Sequence, residues 1–190
     1  ANEGIPFLLH VGGSPLQLDK SWNNNGKPPS KDWMGGGENV RAKDMTVMHQ
    51  GPETFISMMV LDGVFERFPD LRGASVELGA GWVPEMLERL DWVVKSWSKV
   101  DKNLIDIKRK PSEQLKQQMA FTPYVFENVK NLMNQSGPEL YLFSSDYPHV
   151  EGGKDPIGRF ETSLGGLDEE IRDLFYTENF LRIFPDARVG

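Results

Sequence analysis

Several features are absent from this sequence of 190 residues, and each absence excludes a class of protein. There is no cysteine, which excludes disulfide bonds, thiolate nucleophiles and zinc–thiolate sites together. The longest apolar run, around residues 55–65, is interrupted by Asp62 and is too short to span a bilayer. No basic segment followed by an apolar one opens the sequence, so we expect a cytoplasmic protein.

Positive charge is also scarce. The sequence holds 21 lysines and arginines against 28 aspartates and glutamates, a net charge of −7. The longest run of basic residues, Lys108–Lys110, is short. Because an acidic surface repels phosphate backbones, the sequence does not favour nucleic acid as a partner.

The chain is shorter than the roughly 250 residues of a complete (β/α)₈ barrel, and we expect a single domain over residues 1–190. Apolar runs and amphipathic stretches alternate along it, which is typical of parallel β/α units. A polar stretch rich in proline and glycine, at about 16–43, predicts a long loop of the kind that is often functional. The predicted strands are 5–11, 73–78, 115–121 and 140–144, and the predicted helices are 52–65, 81–100, 123–133 and short segments within 157–184.

Polar side chains follow three of the predicted strands. His10 ends the first strand, Glu77 ends the second, and Asp146 ends the fourth with His149 just beyond it. The carboxyl ends of parallel strands meet on one face of the sheet, where reactive groups are usually found. Imidazole and carboxylate are ligand types for zinc and similar ions. Taken singly, each residue also has an ordinary structural interpretation as a packed histidine or a capping acid.

Three further residues are candidates for binding a substrate. His49 precedes the first predicted helix, Trp33 lies in the long loop, and Trp82 follows Glu77. The two tryptophans could form the walls of a pocket. For Trp82, at the beginning of a helix, ordinary packing is the favoured interpretation.

Several strings resemble the amidohydrolase-related family, which includes aminocarboxymuconate semialdehyde decarboxylase and related metal-dependent hydrolases. The most specific are Leu-Phe-Ser-Ser-Asp-Tyr-Pro-His at 142–149 and Glu-Leu-Gly-Ala-Gly-Trp-Val-Pro at 77–84. The segments 63–72 and 8–13 and the pair Asn179-Phe180 are similar to the same family. The resemblance covers nearly the whole chain.

This resemblance implies an α/β fold of the (β/α)₈ TIM-barrel type, to which this chain contributes roughly strands 5–8. It implies one divalent ion, most often zinc and alternatively manganese, with His10 as the fifth-strand ligand and Asp146 as the eighth-strand ligand. Asp146 would also orient or deprotonate the attacking water. Glu77 stands where many members have a histidine for acid–base catalysis, and His149 would serve as a second acid or bind a carboxylate.

The family's signature begins with His-x-His or Glu-x-His on the first strand, yet no histidine precedes His10. We therefore expect the C-terminal half of a barrel, which is inactive without the N-terminal half. A truncation, a cleaved product and a split-barrel subunit would all fit. Its expected partners are a small-molecule substrate and either the missing half or further copies of itself. Two ligands are fewer than the three that a catalytic zinc site usually has, so we expect weak metal binding.

Three functions stay open at this stage. The first is a metal-dependent hydrolase that acts on a small organic acid or a cyclic carbonyl compound through metal-activated water. The second is a metal-dependent decarboxylase of an aromatic or muconate-type acid. The third is a non-catalytic half-barrel that binds or oligomerises, although such a module has no reason to retain polar groups at three strand ends. A flavodoxin-like sheet ranks last, because no helix follows the glycines after the first strand.

Overall fold

The computed structural model describes residues 4–11, 22, 26, 42–147 and 153–187. Within these residues, three parallel strands form one sheet in sequence order: β1 (Phe7–His10), β2 (Gly73–Val76) and β3 (Met119–Phe121). In the register of the sheet, Gly73 pairs with Phe7 on one side and with Met119 on the other. Helices lie between consecutive strands, which are the β–α–β crossover connections that parallel pairing requires.

A fourth segment extends the sheet beyond β3. Tyr141 forms an isolated parallel bridge with Phe121, and the Leu142 N–H donates to the Phe121 carbonyl at 3.1 Å. The next residue, Phe143, donates its N–H to the carbonyl of Phe175 at 2.9 Å. Of the predicted fourth strand at 140–144, Leu140 ends a 3₁₀ turn, and the sheet continues only at Tyr141 and Leu142 before Phe143 bonds elsewhere.

The helices have the following bounds among the described residues. Between β1 and β2 lie α1 (Ala42–Met45), α2 (Gln50–Leu61) and α3 (Val64–Arg67). Between β2 and β3 lie α4 (Val83–Trp97), a 3₁₀ turn (Lys102–Asp106) and α5 (Pro111–Gln118). After β3 come α6 (Val129–Ser136), a 3₁₀ turn (Pro138–Leu140), α7 (Pro156–Leu164), α8 (Glu169–Asp173), a π-helical turn (Leu174–Glu178) and α9 (Asn179–Ile183).

Capping residues explain where several helices begin. The Asn128 side chain accepts a hydrogen bond from the N–H of Asn131 at the start of α6, and the Asp155 side chain accepts one from Gly158 at the start of α7. Both are residue types that satisfy the unpaired N–H groups of a first helical turn. Proline occupies the first turn of α4 and α5, where its missing N–H removes no hydrogen bond.

The main core lies between one face of the sheet and the helices. Phe7, Leu9, Met119 and Phe121 alternate along their strands onto this face. They pack with a buried set that includes Ile56, Val60, Phe65, Met86, Leu90, Leu115, Tyr141, Phe160 and Phe175. The opposite face carries a smaller cluster of Ala74, Ala120, Leu142 and Ile183.

Two predicted elements differ from the structure. The predicted strand at 115–121 is wrong in its first half, because α5 extends to Gln118 and only residues 119–121 are extended. The predicted helix at 123–133 begins later, at Val129, where Asn128 supplies the cap. Of the predicted loop at 16–43, residues 22, 26, 42 and 43 are described, and the last two belong to α1. No helix among the described residues is long and apolar enough to cross a membrane.

Candidate active site

His10 and Glu77 meet where β1 and β2 end. The His10 Nε2 atom lies 3.1 Å from Oε1 of Glu77, and the His10 Nδ1 atom contacts the carbonyl oxygen of Val11. This proximity follows from the register, which pairs His10 with Val76, the residue before Glu77. Both ring nitrogens of His10 therefore face oxygen atoms, one of the backbone and one of the Glu77 carboxylate.

The backbone of Glu77 is held in an unusual conformation. Its φ angle is +60°, in the left-handed region that side-chain-bearing residues seldom adopt. The N–H of Glu77 donates to Oγ1 of Thr122 at 3.1 Å, and its carbonyl accepts from the hydroxyl of Tyr124 at 3.0 Å. Both partners belong to the segment after β3. Two hydrogen bonds thus offset the conformational cost and fix the point from which the carboxylate extends.

Glu127 joins the loop after β2 to the loop after β3. Its carboxylate accepts hydrogen bonds from the backbone N–H groups of Ala80 at 2.9 Å, Gly81 at 2.7 Å and Tyr124 at 2.7 Å. Sequence reasoning missed this residue, because its partners in the first loop lie more than forty positions earlier. The available signal was the Gly79-Ala80-Gly81 turn, whose exposed N–H groups need an anionic acceptor.

A pocket of about 370 Å³ lies at the carboxyl end of the sheet. Two acids line it: Glu77, which comes directly after β2, and Asp146, which follows the extended segment that begins at Tyr141. Arg159, from the first turn of α7, adds a positive charge that the sequence did not indicate. The remaining lining residues are Met45, Thr122, Pro123, Tyr124, Val125, Phe126 and Ser144.

Asp146 also has a left-handed backbone, with a φ angle of +54°. Its N–H lies 3.4 Å from Oγ of Ser144, and its Oδ1 atom is shielded from solvent. Aspartate adopts this conformation more readily than most residues because its short polar side chain can bond locally. The two acids of the pocket are therefore both aimed by a sharp backbone turn at the end of the sheet.

The other predicted residues lie apart from this pocket or outside the described residues. His49 stacks on Trp82, with ring centroids 6.2 Å apart and an interplanar angle of 27°. The Trp82 indole donates to the carbonyls of Leu78 and Gly79, and its ring meets Phe121 edge-on. Neither His49 nor Trp82 lines the pocket of Glu77 and Asp146. Both His149 and Trp33 are outside the described residues.

The donor atoms near the pocket match part of a metal site. In the part of the chain that the structure describes, no group of three or more His, Cys, Asp or Glu side chains is arranged to hold a metal ion. One imidazole and two carboxylates are nevertheless the ligand types that zinc and manganese accept. The 3.1 Å between His10 Nε2 and Glu77 Oε1 is the distance of a direct ion pair or hydrogen bond between the two side chains.

The described residues form an α/β fold with a parallel sheet and two acids in a pocket at its carboxyl end, and comparison with known proteins identifies the family. The sequence matches the amidohydrolase family over residues 1–185. The chain belongs to that family.

Solved structures support the same fold. The chain is similar to the amidohydrolase map2389c from Mycobacterium avium subsp. paratuberculosis K-10, with a TM-score of 0.69 and 24% identity over 96% of this chain and 43% of that one. It is also similar to the 5-carboxyvanillate decarboxylase LigW from Sphingomonas paucimobilis, with a TM-score of 0.55 and 24% identity over 72% of this chain and 40% of that one. A search of curated proteins gives no match. The chain spans less than half the length of both solved structures, and its fold is TIM-barrel-type α/β.

Proposed function

We propose that this chain supplies strands 5–8 of a (β/α)₈ barrel and, with them, one side of a metal-dependent hydrolase site. The substrate class is a small organic acid or a cyclic carbonyl compound. The observation that carries the proposal is that Glu77 and Asp146 line one pocket while His10 contacts the Glu77 carboxylate. Catalysis then requires the other strands of the barrel, which complete the ligand set.

His10 and Asp146 are the proposed metal ligands in this site. A divalent ion held by these two residues would lower the pKa of a coordinated water to near neutrality and polarise a substrate carbonyl. The contact of His10 Nδ1 with the Val11 carbonyl orients the ring so that Nε2 faces the Glu77 carboxylate. The turn at Asp146 presents its carboxylate to the same pocket.

Glu77 is the proposed acid–base residue. Its carboxylate is 23% exposed, so it can exchange protons with the pocket while its backbone is held by Thr122 and Tyr124. Arg159 is the proposed partner of a negatively charged group of the substrate. Without it, the carboxylates of Glu77 and Asp146 would repel such a group.

Decarboxylation is the second candidate function, and the aromatic wall of the pocket favours it. Tyr124 and Phe126 stack with ring centroids 5.3 Å apart and an interplanar angle of 20°. A planar aromatic acid could lie against this wall with its carboxylate directed to Arg159. Loss of carbon dioxide then leaves the electron pair on the ring carbon, which takes a proton from a side chain such as Glu77. The similar structure LigW is a decarboxylase.

Metal titration tests the ligand assignment directly. We expect this chain to bind Zn²⁺ weakly in isothermal titration calorimetry, because it supplies fewer ligands than a closed site. His10→Ala and Asp146→Ala should each abolish the binding. His49→Ala is the matched control and should leave it unchanged, because His49 stacks on Trp82 away from the pocket. Wild-type binding in the first two variants would refute the assignment.

Activity measurements distinguish the two reactions. In the longest form of the protein that contains these residues, Asp146→Ala should abolish turnover of both hydrolysable and decarboxylatable substrates. Incorporation of ¹⁸O from labelled water identifies hydrolysis, whereas release of carbon dioxide with uptake of deuterium at the ring carbon identifies decarboxylation. Turnover that persists without Asp146 would refute the site. A completed barrel that binds substrate but never turns it over would favour the non-catalytic half-barrel.

A further inference from the structure

Along the outward face of α4, acidic residues come first and basic residues follow. Five residues recur at intervals of three, four, three and four positions, and all five are exposed: Glu85, Glu88, Trp92, Lys95 and Lys99. This spacing places them in one stripe along the helix, with Lys99 just past its end. We call these five residues the α4 stripe. Its N-terminal half is negative, its C-terminal half is positive, and a tryptophan lies at its centre.

The stripe lies away from the sheet and from the candidate active site. α4 buries Val83, Met86, Leu87 and Leu90 in the core. It contacts α2, α5 and α6 within the chain. Because α4 follows the middle strand of the described sheet, the stripe is not next to either edge strand. A further barrel strand that pairs with a sheet edge would therefore leave it uncovered.

The side chains of the stripe are available for an external partner. Trp92 is 60% exposed, so a large apolar surface is in contact with water. Glu88, Lys95 and Lys99 form no ion pair with any residue in the described part of the chain. Glu85 accepts a hydrogen bond from Arg89, one turn further along the same helix, and remains 77% exposed.

We propose that the α4 stripe is the docking surface for a second copy of this chain, with the two α4 helices antiparallel across a two-fold axis near Trp92. In this arrangement Glu88 of each chain faces Lys95 of the other, and Glu85 faces Lys99. A parallel arrangement would bring like charges together instead. The charge order is therefore complementary to itself only in the antiparallel orientation, which is the self-complementarity that an isologous interface requires.

The size of the stripe sets the expected strength of association. One pair of helices buries less than the about 1,600 Å² of a standard stable interface. We therefore expect a dissociation constant on the order of micromolar, with dimerisation weakened by salt because the flanking pairs are solvent-exposed charges.

Charge reversal provides the principal test, with sedimentation equilibrium as the measurement. Lys95→Glu places two glutamates opposite each other at each end of the interface and should weaken dimerisation by about tenfold or more. The double variant Glu88→Lys with Lys95→Glu exchanges the signs and should restore wild-type association. Lys154→Glu reverses an exposed lysine outside α4 and is the control that should have no effect. Far-UV circular dichroism verifies that each variant retains its helices.

Cross-linking of the unmodified protein provides a second measurement that needs no substitution. Equal amounts of ¹⁴N- and ¹⁵N-labelled chain are mixed and treated with a zero-length carbodiimide, which joins carboxylates to amines in direct contact. The expected product is a mixed-isotope peptide that joins Glu88 to Lys95. A monomeric wild-type protein overturns the proposal. So does a dimer that persists in Lys95→Glu, a folded double variant that stays monomeric, or the absence of the mixed-isotope peptide.

Discussion

At the scale of single residues, the turn after β2 requires glycine at position 79. Gly79 has a φ angle of +66°, and a Cβ there would lie 2.6 Å from the ring of Tyr124. Tyr124 cannot easily move aside, because its hydroxyl holds the Glu77 carbonyl. The turn that positions Glu77 therefore depends on a residue without a side chain.

Gly79→Ala should lower the free energy of unfolding by about 1–3 kcal/mol, because the backbone strain and the clash add together. Gly51→Ala is the matched control in α2, where a Cβ meets nothing within 4 Å. It should be neutral or stabilise by up to about 1 kcal/mol. Denaturant midpoints measure both changes, and equal shifts in the two variants would contradict this account.

Tyr141 gives a prediction for alkaline pH. Burial raises the pKa of its hydroxyl, which also bonds to the hydroxyl of Ser136. An unfolded tyrosine ionises near pH 10, whereas the folded one keeps its proton to higher pH. The unfolded state is therefore favoured progressively as the pH rises above about 10, and there is no effect below it.

Tyr141→Phe should remove this contribution to the alkaline loss of stability. At neutral pH it should cost about 1 kcal/mol for the lost hydrogen bond. Chemical denaturation at pH 8 and at pH 11 measures the difference between the variant and the wild type. This difference should become smaller at the higher pH, and a constant difference would be inconsistent with ionisation of Tyr141.

At the scale of structural elements, Glu127 connects the loops that follow β2 and β3. Glu127→Gln replaces a charged acceptor of three N–H groups by an amide with one oxygen and should destabilise the protein by about 1–3 kcal/mol. It should also accelerate hydrogen exchange at the Gly81 amide, which donates to Glu127. Glu113→Gln, on the exposed side of α5, is the control and should change stability by less than about 0.5 kcal/mol.

The strand Phe7–His10 was predictable from a continuous apolar run, and Gly73–Val76 from the turn at 68–72 that precedes it. The predicted strand at 115–121 includes Leu115, although Pro111 stands at the beginning of a helix. In the structure Leu115, together with Gln114 and Gln118, is buried on one side of α5. The polar residues Lys116, Gln117 and Gln118 form the last turn of α5, and neither glycine nor proline marks the point where this helix runs directly into β3.

The sequence indicated only those residues of the candidate site that lie at the ends of strand segments. His10, Glu77 and Asp146 each follow a strand segment, and that position suggested a function for them. Glu127 precedes α6 and Arg159 lies in the first turn of α7, and their roles depend on which segments approach each other at the end of the sheet. Such contacts arise from the three-dimensional arrangement of the crossovers and leave no local pattern in the sequence.

At the scale of the whole molecule, side chains of α9 form hydrogen bonds with the backbone around β3. Arg182 donates to the carbonyls of Gln117, Met119 and Glu139 at 2.7, 3.0 and 2.6 Å. Asn179 donates to the carbonyls of Pro138 and Tyr141 at 2.9 and 2.7 Å. These bonds connect the end of the chain to β3 and to the segment that leads to Asp146.

Arg182→Lys should lower the free energy of unfolding by about 2–4 kcal/mol, because one ammonium cannot reach three carbonyls and leaves buried acceptors unsatisfied. Arg89→Lys is the control, since the Arg89 side chain is 55% exposed. It should cost less than about 1 kcal/mol. Thermal or chemical denaturation of both variants checks this difference, and similar losses would show that the fork geometry of Arg182 is unimportant.

The π-helical turn at Leu174–Glu178 determines in which direction the side chains of α9 point around the helix axis. An α-helix advances by about 100° per residue, and a π turn corresponds to one inserted residue in such a helix. Deleting Thr177 would therefore rotate Asn179 and Arg182 by roughly that angle, away from the carbonyls that they bind. The rotation of α9 about its own axis therefore depends on a single added residue. The hydrogen bonds from Asn179 to the segment that leads to Asp146 depend on that residue as well.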